Sequence, residues 1–559
     1  MTDDSGPARA SFITGPLLGR ARELADLHAG FDDAARGRAR MHLIVGEPGV
    51  GKTRLAEELV AYAAAQGAVV AWSSGWGPAA PAYWPWTQVV RALVRDDPAA
   101  RGEDIRAAGP KLLRLVPALG ELVPDLSPPA EDDDDEHARF GLFDSLAGFL
   151  RARSRSAPLV LVFDDLQAVD EGTLLALDFV SRDLQDAAVL IVCALHERTP
   201  DLTPEAQARL SHLARAGQRI LLRGLDAGDL TSLVENAGGG SAAPALARAL
   251  HAATEGNPFF AHEIVRLLVA EGRLADAPDD LPLPDSVRGT IRLRLASLSA
   301  TALRTLEFAA ILGHSFRHAV IVRAAGLDAG EVLASLDEAT ALGVITEDAS
   351  PRGQHRFVHG LIRDALIADL PAGRRIASHH AVAVALEDAY GPAIESHLAE
   401  VAHHYVAAAP GGDPHKALEY SARAAERTLA SLAYEQAAEL FEQALEVLEL
   451  TRTDLRRRAT LRLGLGEAQA RAGRPQARET FLEAAAAARA ADAPDLLGAA
   501  AIGMGPFGLA AGFVDDAHVA LLEEALDRLG TGDDPLRVRL LGSLAAALYW
   551  STARSRREE

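Results

Sequence analysis

The sequence predicts a multidomain chain that begins as an α/β domain built on a parallel sheet and continues as all-α structure. Three observations predict it. Apolar runs at 41–45, 159–163 and 188–195 end in a glycine, an acid and a histidine, the pattern of buried parallel strands that deliver polar ends to one edge. Beyond about residue 200 the apolar residues shift to helical spacing. From about 375 onward the chain is Ala-rich, with single large apolar residues recurring among small ones. At 559 residues the chain is too long for one core, and three or four domains is the natural division.

Residues 1–16 begin MTDDSGPARA, polar and without an apolar core, and read as a disordered tail rather than a signal peptide. Residues 17–200 are the sheet domain. MHLIV, 41–45, reads as a buried strand, GEPGVGKT follows at once, and then Leu55, Leu59 and Tyr62 recur at helical spacing. Strand, G-x-x-x-x-G-K-[ST] loop and helix is the P-loop arrangement. Gly46, Glu47, Pro48, Gly49, Val50, Gly51, Lys52, Thr53 and the adjoining Arg54 are therefore the candidate nucleotide-contacting residues. Glycines let backbone N–H groups close round phosphate oxygens, and the new helix adds its positive end. Lys52 is expected to reach the β- and γ-phosphates and Thr53 to hold Mg²⁺, so the cofactors are ATP or ADP with Mg²⁺.

PLVLVFDDLQAVD, 158–170, supplies the second metal group. The strand Leu159–Phe163 brings Asp164 to the sheet edge, where it would hold the metal. Asp165 is placed to orient or deprotonate an attacking water. An acidic strand end that caps the next helix is the plainer alternative. A further strand, Ala188–Leu195, ends in HERTP. His196 and Arg198 are candidates for sensing the γ-phosphate, with simple solvation of a strand end as the alternative. Four of the five tryptophans lie in WSSGWGPAAPAYWPW, 72–86. This connection follows the second strand, 68–72, and precedes a helix. Its rings could stack on a base, or wedge against neighbouring helices or the next domain; large rings with few rotamers suit the second role better.

EDDDDE, 131–136, reads as a solvated loop. Residues 201–275 read as a helical bundle, with Gly256-Asn257-Pro258 as an ordinary break and helix start. Residues 276–285, DAPDDLPLPD, are Pro- and Asp-rich and read as a linker. Residues 286–370 alternate helices with short strands, VITED and HRFVH, a pattern that suits a winged helix. Residues 371–559 read as a tetratricopeptide-like α-solenoid. Ala437, Phe441 and Ala444 share a face, Ala477, Phe481 and Ala484 repeat it forty residues on, and Leu522 and Ala525 repeat the idea.

The net charge of −22 argues against the chain as a whole holding DNA, RNA or an anionic membrane. The single cysteine, Cys193, lies in the apolar run IVCAL, which fits a core position and a reducing cytoplasm. Residues 496–514 carry no charge, but their glycines and proline favour a turn between packed helices over a membrane span.

These segments together resemble the STAND class of signal-transduction ATPases, in particular the large ATP-binding regulators of the LuxR family. The likeness runs through LLGRARELADL, GEPGVGKTRL, APAYWPWTQVVRAL, ARFGLFDSLAGFL, LVFDDLQAVD, EGNPFFAHEIVRLL and FVHGLIRDALIADLPAGRR to VALLEEALDRL and ALYW. It implies that 201–275 is a lid over the nucleotide, with Asn257 and Pro258 near it. It implies that the winged helix is a switch arm whose His359 reaches the ADP phosphates; a helix cap or packed residue is the alternative for this histidine. It also implies an ATP-dependent transcriptional switch that hydrolyses ATP slowly. The repeats would receive a protein or small-molecule inducer, and nucleotide-dependent self-association is possible. The helix-turn-helix that follows such repeats is not found in these residues, so no direct specific DNA binding is expected of them. Rival readings are an AAA-type motor or remodeller, for which no arginine finger is identifiable, and a helical-repeat scaffold with a vestigial nucleotide site.

Overall fold

The computed structural model describes residues 15–126 except 76, 78, 96 and 97; 138–199 except 198; 202–238, 244–270, 273, 287–347, 353–451 and 454–505; and 514–549 except 531 and 533. The tail up to 14, the acidic run 131–136, the linker 276–285, Trp76 and Arg198 lie outside the described residues. The chain divides into two compact units, Met1–Gly391 and Pro392–Glu559.

The first unit opens with α1 (Ala21–Ala35), β1 (Arg40–Gly46), α2 (Lys52–Ala65) and β2 (Val69–Ser74). Next come α3 (Trp84–Arg95), α4 (Pro98–Ala108), α5 (Leu112–Leu115), α6 (Ala138–Ser154) and β3 (Leu159–Asp164). Then follow α7 (Glu171–Asp183), β4 (Val189–His196), α8 (Pro204–Ala216) and β5 (Gln218–Leu221). The strands form one parallel sheet in the order β2-β3-β4-β1-β5. Every residue of β3 is buried, as is all of β4 up to His196, which is why these strands read as unbroken apolar runs. One core joins Leu27 and Phe31 of α1, Leu55 and Leu59 of α2, and Ile44, Val160, Val162 and Val192 of the sheet.

The sheet extends past the expected boundary at 200. QRIL of β5 falls inside the segment read as helical, because two of its four residues are exposed and polar and no apolar run marks it. Two rings of the aromatic connection lie in the same domain's interior. Trp86 is fully buried, packs edge-on to Phe163 at 4.8 Å and donates its indole N–H to the Thr173 carbonyl at 3.2 Å. Tyr83, also buried, sits edge-on to Phe143. These two rings wedge α3 against α6, α7 and β3 and are not available to stack on a base.

Helices α9 (Ala227–Gly238), α10 (Pro244–Thr254) and α11 (Pro258–Ala270) share a small core of Leu230, Leu246, Leu250, Phe260 and Ile264. After α12 (Val287–Leu295) and α13 (Ala300–Leu312) come β6 (Ser315–Arg317), α14 (His318–Ala325) and α15 (Ala329–Ala341). β7 (Ile345–Glu347), β8 (Gln354–Phe357) and α16 (Gly360–Asp369) complete this segment. β8 pairs antiparallel with both β6 and β7; β6 is too short to show in the sequence. α17 (Ala372–Tyr390) packs on α13 and α14. The first unit therefore takes in this helix, which the sequence assigned to the terminal array. Alanine-rich helical spacing shows that a helix is packed, not which neighbour it covers.

The second unit is a run of helices, each packed on the next. They are α18 (Leu398–Ala408), α19 (Pro414–Ala430), α20 (Tyr434–Glu449), α21 (Leu455–Arg471), α22 (Ala477–Ala490), α23 (Pro494–Gly503), α24 (Asp516–Leu529) and α25 (Pro535–Ala547). The recurring face is buried throughout: Ala437, Phe441, Ala444, Ala477, Phe481, Ala484, Leu522 and Ala525. Phe441 lies where a side chain at Gly464 would stand, and Phe481 fills the space left by Gly466 and Gly503. No helix among the described residues is long and apolar enough to cross a membrane.

Candidate nucleotide-binding site

The P-loop lies between the end of β1 and the start of α2. Gly49 has φ 82° and Gly51 φ 99°, a region that L side chains rarely adopt. A Cβ on Gly49 would also stand 2.9 Å from the Asn257 amide and 3.0 Å from Phe259. Glycine is thus required at Gly49 both by dihedral and by space. Lys52 at the head of α2 is buried and donates to the carbonyls of Gly46 (3.1 Å) and Glu47 (2.9 Å). Burial pushes its ammonium down to about 8, opposed by Asp165, Asp164 and Glu47. Arg54, next along, pairs with Glu58 one turn on.

Thr53 and Asp164 face each other. The Thr53 hydroxyl donates to the two Asp164 carboxylate oxygens at 3.3 and 3.1 Å, and Asp164 is buried. A hydroxyl and a buried carboxylate side by side beneath an anion-binding loop are hard oxygen donors of the kind that suits Mg²⁺. Asp165 lies just beyond, in the left-handed region at φ 53° and ψ 50°. Its Oδ1 accepts from Gln167 Nε2 at 2.9 Å and lies 3.8 Å from His196 Nε2.

The strand order explains His196. β4 lies between β1 and β3, and its register sets His196 beside Gly46. Its imidazole pKa is lowered by burial first and then by Lys52, with Asp165 opposing. His196 thus sits between the P-loop and the paired acids.

The start of α11 docks on the loop itself. Asn257 Nδ2 donates to the Pro48 carbonyl at 2.9 Å, and the Phe259 N–H donates to the Gly49 carbonyl at 3.2 Å. Asn257 also caps α11, its Oδ1 accepting from the Phe260 N–H at 3.3 Å, while Pro258 occupies the first helical position. Phe259 in turn stacks, tilted, on His359 with centroids 4.2 Å apart. His359 Nδ1 accepts from the Leu361 N–H at 3.1 Å, so the neutral ring carries its proton on Nε2. Protein packed round this histidine pushes it down to about 4; His314, Lys52 and His196 push the same way and Asp165 opposes. Those neighbours place His359 within the field of the P-loop and the paired acids.

The structure adds two residues to which the sequence assigned no role. Arg20 is buried and donates to the Val50 carbonyl at 3.2 Å and to the Arg223 carbonyl at 2.6 Å, tying the P-loop to the segment after β5. Gln167 bridges Asp165 and the backbone of His196, whose N–H it accepts at 3.2 Å. For Arg20, the only sequence signal was its place in LLGRARELADL; Gln167 stands next to the acidic pair with no pattern of its own.

Residues 16–192 match the family model of the AAA ATPase domain, and the P-loop, Thr53, Asp164 and Asp165 all lie within that match. No curated protein matches the chain. Among solved structures, the chain is similar to a signal transduction ATPase with numerous domains (STAND) and a tetratricopeptide repeat sensor from Pyrococcus horikoshii. That likeness has 14% identity, covers 95% of this chain and 80% of that one, and has a TM-score of 0.38. A Walker-type ATPase of Pyrococcus abyssi shares 13% identity over 64% of this chain and 99% of its own, with a TM-score of 0.30. Cdc6p from Pyrobaculum aerophilum shares 14% over 66% and 98%, with a TM-score of 0.32. At these identities and scores the likenesses carry nothing about function.

Proposed function

We propose that this chain is an ATP-driven signal-transduction switch of the STAND type, whose nucleotide state sets the arrangement of its domains. One observation carries the reading. P-loop, lid and the segment after α12 form a continuous series of contacts, from the carbonyls of Pro48 and Gly49 through Asn257 and Phe259 to His359. Whatever moves the P-loop is felt at His359.

Binding requires Lys52 to leave the carbonyls of Gly46 and Glu47 for phosphate oxygens. That exchanges two neutral acceptors for anionic ones, and charge-assisted hydrogen bonds are the stronger kind. Thr53 and Asp164 would hold Mg²⁺, which when bound neutralises charge on the β- and γ-phosphates. Asp165 orients or deprotonates the water that attacks the γ-phosphate, and His196 stands beside it as the sensor. His359, neutral and with Nε2 as a donor, fits a role in recognising ADP phosphates. Residues 286–370 act as a winged-helix switch arm, and the helical array of the second unit receives a protein or small-molecule inducer. The output we propose is transcriptional control of the LuxR type. Specific DNA contact is not expected of residues 1–559 themselves, with their net charge of −22.

Titration calorimetry of the full chain with Mg²⁺-ATP and Mg²⁺-ADP tests the reading. The parent is expected to bind both, and Lys52→Ala to lose affinity by about a hundredfold as the main cation facing the β/γ charge disappears. Unchanged affinity in that variant would refute it.

A further inference from the structure

We infer that Gln167 is a positioning residue for ATP hydrolysis: one end of its amide holds the Asp165 carboxylate and the other is anchored on the His196 backbone. The inference rests on the reading of Asp165 as the group that orients or deprotonates the attacking water.

The two hydrogen bonds have separate structural reasons. Just past β4, the Glu197 N–H donates to the Gly46 carbonyl, toward β1. Successive N–H groups along a strand alternate sides, so the His196 N–H is directed toward β3. The pairing of β3 with β4 runs only to Phe163 and Cys193. The His196 N–H therefore lies beyond the end of the ladder, and Gln167 Oε1 accepts it. Since that oxygen faces an N–H, the amide NH₂ is turned toward Asp165, where Nε2 donates to Oδ1. A glutamine offers a donor and an acceptor at a fixed separation. With its acceptor engaged by the backbone, its donor has little freedom.

The turn that carries Gln167 is itself pinned. Leu166 is fully buried, the Ala168 N–H donates back to the Asp165 carbonyl at 2.8 Å, and the Gly77 N–H donates to the Ala168 carbonyl at 3.0 Å. Asp165 needs such a brace. Its carboxylate is half exposed, and an unheld carboxylate at a strand end rotates about its side-chain bonds. Gln167 Nε2 and His196 Nε2 both address Oδ1. The other oxygen, Oδ2, is then left in a defined direction as the acceptor for a water.

The test is steady-state hydrolysis of Mg²⁺-ATP by the full chain and by Gln167→Met, Gln167→Glu, Asp165→Asn and the double variant Asp165→Asn/Gln167→Met. Methionine keeps the length and loses both hydrogen bonds. Glutamate keeps an acceptor for the His196 N–H and loses the donor to Asp165. Both Gln167 variants are expected to lower kcat about tenfold, as a misdirected group does. KM, ADP affinity and Tm should stay close to the parent's. Added to Asp165→Asn, Gln167→Met should cost nothing more, because the group it directs is gone. A parent-like or raised kcat in Gln167→Met would overturn the inference. So would recovery of the parent rate by Gln167→Glu, which would make the residue a brace for β4 alone, or a full additional loss in the double variant. If Asp165→Asn slows turnover and the Gln167 variants do not, the reading of Asp165 stands and only this inference falls. If Asp165→Asn leaves turnover unchanged, or the parent binds nucleotide without hydrolysing it, both fall.

Discussion

Asn257 joins the start of α11 to the P-loop, and its removal has a calculable cost. Asn257→Ala deletes the donor to the Pro48 carbonyl at 2.9 Å and the cap that accepts the Phe260 N–H at 3.3 Å. Losing an N-cap costs about 1 kcal/mol, and losing a hydrogen bond to a partner left unpaired costs about 1 kcal/mol more. The sum, about 2 kcal/mol, corresponds to roughly a thirtyfold increase in the population of a locally opened contact between α11 and the P-loop. The Phe259 N–H to Gly49 contact remains, so the opening should stay local. Asn257→Asp separates the two parts. It keeps a good cap but sets a carboxylate oxygen against the Pro48 carbonyl, so it should loosen docking while sparing the start of α11. Hydrogen exchange of the full chain, followed at 46–52 and 257–262, is the assay. Asn257→Ala should speed exchange in both segments about thirtyfold, and Asn257→Asp chiefly in the P-loop. Exchange at the parent rate in both variants would refute the claim that this contact holds α11 on the loop.

Other outcomes follow from neighbouring geometry. His359→Ala should weaken ADP more than ATP in calorimetry, and equal effects on the two would return His359 to a cap and packing role. His42 on β1 is fully buried with neither ring nitrogen hydrogen-bonded, and burial pushes it down to about 4. The unfolded chain then binds the extra proton, so stability is constant above about pH 6.5 and falls as pH drops toward 4, by roughly 3 kcal/mol in full. Acid unfolding of His42→Leu should lack that slope; an unchanged slope would exonerate His42. Phe481→Ala empties the space between Gly466 and Gly503 and should cost about 3–5 kcal/mol, read as a lower unfolding temperature of the helical array. A shift of less than a degree or two would show that the gap closes without it.

Much of the candidate nucleotide site was legible because its pattern is local. The P-loop needs glycines within a few residues of Lys52, and the observed φ of Gly49 and Gly51 show why. Asp164 stands at the end of a wholly buried strand, and such a strand is an apolar run whatever its neighbours are. In the helical array, Phe441 and Phe481 announce themselves as single large residues among small ones, and the burial of their faces follows. The limits of that legibility are equally local. QRIL is too short and too polar to read as a strand, α17 has a packed face but no stated partner, and Trp86 reads as a wedging ring without showing that Phe163 and Thr173 are what it wedges against.

By itself, the sequence determined where the P-loop pattern stands, which acids end a buried strand, and which faces of the later helices are packed. Each depends on residues within one turn or one strand of each other. Only the tertiary structure decided that β4 lies between β1 and β3, which sets His196 beside Gly46 and brings its backbone N–H to Gln167. It likewise decided that Asn257 meets Pro48 across 209 residues of chain, and that His359 stacks on Phe259. The physical reason is that strand pairing and side-chain docking are satisfied by partners distant along the chain. A backbone N–H or a ring shows the same local pattern whichever partner it meets.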